Sequence, residues 1–497
     1  MAAETDRREV GVLSESAPVP ASASGAVSDA AFGPVREGDR LASLDVIRGV
    51  ALLGILVVNM NWFGGPFGRA IFDATLADAS FAAKALWWFE NTFFTGKFVS
   101  IFSFLFGAGL ALQMARLDCA RAESAARGER SHSTAFTILR RLFILGIVGL
   151  CHALLIWYGD ILFLYALLGW ILIPLRHLSQ RGLAIVATAL LVLSATCVAG
   201  MGALQVWGMR MAEAQAAAAY ADAEEMEGEF EYADDAGGID DLAMADAPPS
   251  RSEMTGRERL WELIRAGDID PASENLMALE TEIYRNGPFL DALALRAFQW
   301  TYTIPFLVIT YGPHTLGFFV LGMWAMRSGF FRRESARPQI LAAAICLPLG
   351  VLLCATASSL IAGAGFDPSS WSFALAAPIG DAGATLLAIG YAGALARLAA
   401  LRFDRSMILR PIANAGRMAF TVYLSMSVLM TGLMYWWGLG FFGSFERGQH
   451  MLIALGTWTA LVVASTLWLS RFRMGPLEWL WRAGTYLEVP RLRRGRA

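Results

Sequence analysis

The sequence predicts an all-α, polytopic integral membrane protein with about ten transmembrane helices and both termini in the cytoplasm. Three observations predict it. Hydrophobic residues make up 56% and charged residues 17% of the 497, against about 45–50% and about 25% in soluble domains. The apolar residues gather in ten runs close to the length that a bilayer requires. Basic residues then crowd one set of the connecting loops and avoid the other.

In chain order, residues 1–40 are rich in Ala, Ser, Glu and Pro and read as a disordered cytoplasmic tail. A cleaved signal peptide is not expected, because the first apolar run begins after residue 44 and continues as a full-length helix. The ten runs lie near 45–63, 97–115, 137–157, 160–175, 183–208, 299–326, 339–363, 378–400, 415–437 and 450–470. The fourth is the shortest and ends at Pro174. Residues 80–95 carry Lys84, Glu90 and Asn91 among aromatics and read as an interfacial or re-entrant helix.

With the N-terminus inside, the four inner loops hold seventeen basic residues and the four short outer loops hold four. That is a positive-inside distribution, and one missed span would scramble it. It puts both termini inside, with the lipid bilayer as the first partner.

Residues 209–298 form a long outer connection. Between Asp222 and Asp246 it carries eleven carboxylates and no Lys or Arg, the composition of a solvated, disordered insert at about 221–250. Metal binding there would need convergent, ordered carboxylates. Residues 255–286 regain an amphipathic pattern through Leu260, Leu263, Ile264, Leu276, Leu279 and Ile283, suited to capping the outer face. The second half, 299–486, ends in a Gly-Pro-x-Glu-Trp helix, before a basic tail at 487–497. The five cysteines have no metal-ligand spacing. Neither a resident metal nor a bound cofactor is expected, and no basic, aromatic-laced patch supports a nucleic-acid partner. An oligomer is compatible with the sequence.

Chemistry is sought among polar residues inside apolar helices, where ionisable groups are costly and often functional. Asp45 and Arg48 lie one turn apart at the inner end of the first span. Asn59 follows Arg48 by eleven residues, which returns to nearly the same helix face about 16 Å deeper. One reading is an Asp–Arg pair pinning a helix end while Asn59 bonds a neighbouring helix. The other is an anion subsite at Arg48 with an oriented amide beyond it. By topology Asn59, Lys97, His152 and Asp160 share the outer half. A His152–Asp160 pair would orient the imidazole and raise its basicity, as a general base requires. The bland reading makes His152 a structural hydrogen-bonder and Lys97 and Asp160 interface anchors. His314 sits at a Pro-broken helix, where it can satisfy freed backbone groups. Arg417 and Tyr423 open the ninth span. Glu478 and Arg482 stand at i, i+4 on the last helix, a stabilising order.

Five ordered motifs carry a resemblance: Leu44-Asp45-x-x-Arg48-Gly49…Asn59; Lys97-Phe98…Phe106-Gly107-x-Gly109; His152…Trp157-x-Gly159-Asp160; Gly416-Arg417-Met-Ala; and Gly475-Pro476-x-Glu478-Trp479-Leu-Trp481-Arg482. Together they resemble the YeiB-like family of bacterial membrane proteins, which carry domain of unknown function 418. Residues 221–250 depart from that pattern. More remotely, the opening helix is similar to those of the acyltransferase-3 and heparan-α-glucosaminide acetyltransferase groups, in which about ten helices surround an acyl-CoA path. In the acyltransferase-3 group a catalytic histidine follows the arginine by eleven residues. Asn59 stands there instead, so His152 becomes the candidate base.

The resemblance implies acyl transfer from cytoplasmic acyl-CoA, as co-substrate, to an outer glycan or lipid acceptor. On that reading Asp45, Arg48, Lys97, Arg417 and Tyr423 bind substrate, while His152, Asp160 and Asn59 do the chemistry. A transporter of a small or lipid-linked solute would use the same features as a path. A non-catalytic membrane scaffold would instead use the acidic insert.

Overall fold

A computed structural model describes residues 42–71, 74–128, 133–230, 254–271 and 273–494. The N-terminal tail and residues 231–250 of the acidic insert therefore lie outside the described residues. Among those described, the chain is helical, with one isolated bridge between Phe472 and Arg493.

The first half contains α1 (Ala42–Phe63), α2 (Phe81–Phe93), α3 (Lys97–Ala126), α4 (Thr134–Leu155), α5 (Leu162–Gly169), α6 (Leu172–Leu175) and α7 (Gln180–Phe230). Two amphipathic helices follow, α8 (Gly256–Ala266) and α9 (Glu274–Asn286). The second half is α10 (Phe289–Phe306), α11 (Gly312–Arg327), α12 (Ala336–Leu341), α13 (Leu347–Gly363), α14 (Trp371–Arg402), α15 (Leu409–Arg417), α16 (Ala419–Met434), α17 (Arg447–Arg471) and α18 (Pro476–Tyr486).

Among the described residues, eight helical stretches are long and apolar enough to cross a bilayer, and the α15–α16 pair, bent by 86°, makes a ninth if it is one span. The expected span at 160–175 is the broken pair α5–α6, interrupted at Trp170 and Ile171. The pair still carries the chain between the two ends of the bundle. It leaves the end where Trp157 stacks on Phe63 at 4.0 Å. It arrives where Arg327 donates to the carbonyls of Leu178, at 2.9 Å, and of Arg176. That second end also holds the start of α1, where Ser43 Oγ donates to Phe331 O at 3.0 Å. We call it the basic end.

Glycines set the tightest crossings, since a missing side chain lets backbones approach. A Cβ on Gly107 of α3 would sit 1.9 Å from Phe319 O of α11, and one on Gly322 would sit 1.9 Å from Phe104 O. Proline and π-turns interrupt the regular helices of the second half: Pro305 precedes a π-turn at Leu307–Tyr311, and another at Ala342–Cys346 joins α12 to α13. Outward faces are apolar, as Ile185, Val192, Leu204, Leu352, Leu452 and Leu467 show, which suits lipid.

Two elements differ from their expected extents. α2, expected to be interfacial or re-entrant, leads into α3 as one 46-residue stretch, Phe81–Ala126, and buries Glu90 and Thr92. α7 continues past residue 208 to Phe230, through an alanine-rich segment of high helix propensity. Helices α8 and α9 lie against the end opposite the basic one and bury Leu260, Leu276, Leu279 and Ile283. The tail folds back, with Arg494 N donating to Arg471 O at 3.1 Å.

Candidate functional site

The Asp-x-x-Arg-Gly motif at the start of α1 meets the Gly-Arg motif at the end of α15. A Cβ on Gly49 would fall 2.1 Å from Ile412 O, and one on Gly416 would fall 1.9 Å from Asp45 O. With both residues glycine, Arg48 Nη1 reaches Asp45 Oδ1 at 3.3 Å and Gly416 O at 3.4 Å.

These residues form part of the wall of a cavity of about 380 Å³. Five arginines line it, Arg48, Arg116, Arg141, Arg417 and Arg482, with Asp45 and Glu478 as its carboxylates. Beyond the arginines the wall turns apolar, through Ile55, Phe102, Leu105, Phe106 and Leu145 to Ile161 and Leu162. Asp45 to Ile55 is ten residues of helix, about 15 Å.

Glu478 shapes this cavity by an interaction the i, i+4 spacing does not reveal. Its Oε1 accepts from the backbone N–H of Phe420 (2.8 Å) and Thr421 (3.1 Å), and its Oε2 accepts from Thr421 Oγ1 at 2.5 Å. A carboxylate from α18 thus caps α16 just after its bend, satisfying donors that a helix start leaves open. Burial still pushes the Glu478 carboxyl up from its ordinary range. Three residues on, Trp481 Nε1 donates to Arg141 O at 3.1 Å, and the Arg141 guanidinium lies 3.5 Å over the Trp481 ring.

At the apolar end, His152 from α4 and Asp160 from the α4–α5 turn meet, both buried. His152 Nδ1 lies 2.8 Å from Asp160 Oδ1, and Asp160 Oδ2 accepts from Phe163 N at 2.7 Å. Asp160 therefore caps α5 and holds the imidazole at once, an arrangement that favours the proton on Nδ1 and leaves Nε2 an acceptor. Among the described residues, His152 Nε2 has no hydrogen-bond partner, and neither do Trp157 Nε1 and the Tyr158 hydroxyl. Buried polar atoms are ordinarily paired, so this cluster asks for an explanation. Tyr423 touches both parts: it lines the cavity, and its ring lies 5.5 Å from that of His152. Burial holds the Tyr158 phenol well above its ordinary pKa, so it stays a donor.

The capping helices continue the polar path. Glu280 of α9 accepts from Phe67 N at 3.0 Å and from Gln299 Nε2 at 2.8 Å, and Tyr284 donates to Gln299 Oε1 at 2.7 Å. Burial pushes the Glu280 carboxyl up to about 7, against the lowering by those two donors.

Of the residues expected at the site, Asp45, Arg48, Arg417 and Tyr423 line the cavity, and His152 and Asp160 stand behind Tyr423. The expected grouping of Lys97 and Asn59 with them is corrected. Lys97 lines a separate cavity of about 230 Å³, and half-buried Asn59 lines neither. Depth along a helix does not fix the direction around the bundle. Sequence reasoning missed Arg116, Arg141, Trp157 and Tyr158 at the site, and the Asp381 that faces His314; the Trp-x-Gly-Asp turn was the available signal for Trp157 and Tyr158.

The fold and cavity define a polytopic helical membrane protein with a basic mouth and an apolar interior. Residues 325–488 match the family model "Protein of unknown function (DUF418)". The chain is 27% identical to "Uncharacterized protein YeiB" of Escherichia coli (strain K12), over 89% of this chain and 96% of that relative. It is 28% identical to "Uncharacterized protein YxaH" of Bacillus subtilis (strain 168), over 91% and 96%. A third relative, "Uncharacterized 39.9 kDa protein in amylase 3'region" of Bacillus acidopullulyticus, is 32% identical over 30% of this chain and 37% of its own length. These matches bear out the resemblance to YeiB-like, DUF418-containing bacterial membrane proteins. No solved structure matches.

Proposed function

We propose that the protein is a membrane-embedded acyltransferase of the bacterial inner membrane, moving an acyl group from cytoplasmic acyl-CoA to an outer glycan or lipid hydroxyl. The observation that carries this reading is a buried imidazole, oriented by Asp160 with Nε2 unpaired, beside an apolar cavity whose mouth is ringed by arginines.

Arginine forks suit phosphate oxygens, so Arg48, Arg116, Arg141, Arg417 and Arg482 would receive the nucleotide phosphates of CoA as co-substrate. The thin pantetheine arm and acyl chain would follow the apolar wall toward Tyr423. His152 Nε2 would take the proton of the acceptor hydroxyl as its oxygen attacks the thioester carbonyl. The carbon–sulfur bond then breaks, and the CoA thiolate recovers the proton from the imidazolium, so the acyl ester and free CoA leave. Tyr158 and Trp157 supply donors on the acceptor side.

The test is acyl-CoA binding to the detergent-purified protein, with acetyl-, succinyl- and palmitoyl-CoA beside free CoA. Saturable binding that weakens in Arg48→Ala is expected. No binding by a folded sample would overturn the reading.

A transporter is the second reading, favoured by the π-turns at Leu307–Tyr311 and Ala342–Cys346 as bending points. It requires solute flux into proteoliposomes without CoA and without covalent change.

A further inference from the structure

We infer that the corner between α14 and α15, at the basic end, anchors the protein to an anionic lipid surface. Met407 and Ile408 enter the bilayer interface there, and the arginines around them take anionic headgroups. The inference rests on surface residues and stands whether or not the acyl-transfer reading does.

The corner is short and basic. From Arg397 to Arg417 the sequence carries five arginines and one carboxylate, Asp404. α14 ends at Arg402, a 3-10 turn covers Phe403–Arg405, and α15 starts at Leu409. Arg333 Nη2 pairs with Asp404 Oδ2 at 2.8 Å, and Arg410 Nη2 donates to Asp404 O at 2.5 Å. The single carboxylate is thus already matched, by an arginine from outside the corner. Arg402, Arg405 and Arg410 are all exposed.

Ser406 fixes what projects from the corner. Its Oγ accepts from the backbone N–H of Ile408 at 3.2 Å and of Leu409 at 3.1 Å. Leu409 turns inward to pack with Val46, Ala399 and Ala413. Met407 and Ile408 stay outside, 91% and 72% exposed, and no other large apolar side chain among the described residues is as exposed as Met407. Leaving both in water forfeits the gain of burying them.

Three observations make the bilayer their cover. α15 is bent by 86° from α16, so it lies across the direction of that span and keeps the corner at the level where the span ends. Just before the corner, Leu398 and Leu401 stand exposed three residues apart on α14, so an apolar, lipid-suited face runs up to it. Arginines flanking an apolar tip match the layers of a membrane surface, where headgroups attract the guanidinium groups and acyl chains take the apolar side chains. At its other end α15 gives Gly416 and Arg417 to the arginine-mouthed cavity. The anchor therefore holds one wall of that mouth at the membrane surface.

The test uses full-length Met407→Cys in nanodiscs of phosphatidylcholine, with or without phosphatidylglycerol. A water-soluble maleimide of no net charge is added, and labelling is read by peptide mass spectrometry. Two exposed native thiols calibrate each sample: Cys119, near the end of α3, marks a water-facing thiol, and Cys151, within α4, a lipid-facing one. The introduced thiol is expected to react about tenfold more slowly than Cys119, near the Cys151 rate. Phosphatidylglycerol should slow it about fivefold further relative to Cys119, the scale of one arginine at an anionic surface. Arg402→Gln combined with Arg405→Gln should cancel that second effect. An introduced thiol as reactive as Cys119 in both lipids faces water and overturns the anchor. Slow labelling that ignores phosphatidylglycerol, or a phosphatidylglycerol effect that survives the two Gln substitutions, overturns the recognition of anionic headgroups.

Discussion

Gly416 packs so closely on Asp45 that a methyl group on its Cα would lie 1.9 Å from the Asp45 carbonyl oxygen. That contact is backbone on backbone, so it cannot relax by turning a side chain. Gly416→Ala is expected to cost on the order of 2 kcal/mol or more through overpacking, seen as a lower thermal midpoint in detergent. Gly456, on an exposed face of α17 with nothing within 4 Å, is the control. Gly456→Ala should be neutral or stabilising by up to about 1 kcal/mol. Equal losses at the two positions would refute the close-contact argument.

His152→Ala should abolish turnover while sparing the donor site. The expected loss is about 10²- to 10⁴-fold in acyl transfer, with acyl-CoA affinity nearly unchanged. Asp160→Asn should keep the cap on Phe163 but disturb the imidazole, giving a folded protein with intermediate loss. A His152→Ala protein that still transfers acyl groups at the original rate would remove the imidazole from the chemistry.

Arg48→Ala should weaken acyl-CoA binding about tenfold, the scale of one charged hydrogen bond. The affinity of the original protein should also fall with added salt, because the mouth is partly open to solvent. Binding indifferent to salt and to Arg48 would place the donor elsewhere.

Glu280 gives a pH dependence with a definite sign. Its folded-state carboxyl is raised from 4.5 to about 7, so the native state holds the proton more tightly than the unfolded chain does. The stabilisation is complete below the unfolded value and is lost as pH rises through the folded one. Between about pH 5 and about pH 8 the thermal midpoint should fall, by on the order of 3 kcal/mol of stability. Glu280→Gln should flatten that slope; an unchanged slope in this variant would exclude Glu280 as its source.

Glu478→Ala strips α16 of three acceptor contacts at its bend and should cost on the order of 3 kcal/mol. Glu478→Gln keeps one acceptor oxygen and should lose less. The two are ranked by thermal midpoint, and a reversed order would contradict the capping role.

The sequence made some of this site legible and hid the rest for physical reasons. His152 and Asp160 stand eight residues apart across one turn, so local chain geometry brings them together. Asp45, Arg48 and Arg417 line one cavity, and the positive-inside reading of the loops had put all three at the inner ends of their spans. Lys97 shares its depth with His152, yet it opens on a different cavity, because hydropathy reports height and not angular position. Glu478 was hidden by a plausible local partner, Arg482, while its actual acceptor role is toward Phe420 and Thr421. The His314–Asp381 contact joins α11 to α14, and no local pattern announces it.

The hold of Glu478 on α16 has a consequence for biosynthesis. The first helix lies against Gly416, and the start of α16 waits for a carboxylate that the ribosome releases 58 residues after Phe420. The arginine-mouthed cavity is therefore closed only when α18, which supplies Glu478 and Arg482 to its wall, has followed α16. Until then α16 sits in the membrane without the Glu478 carboxylate on Phe420 and Thr421, so a stop before Pro476 would leave inserted helices without a finished chamber.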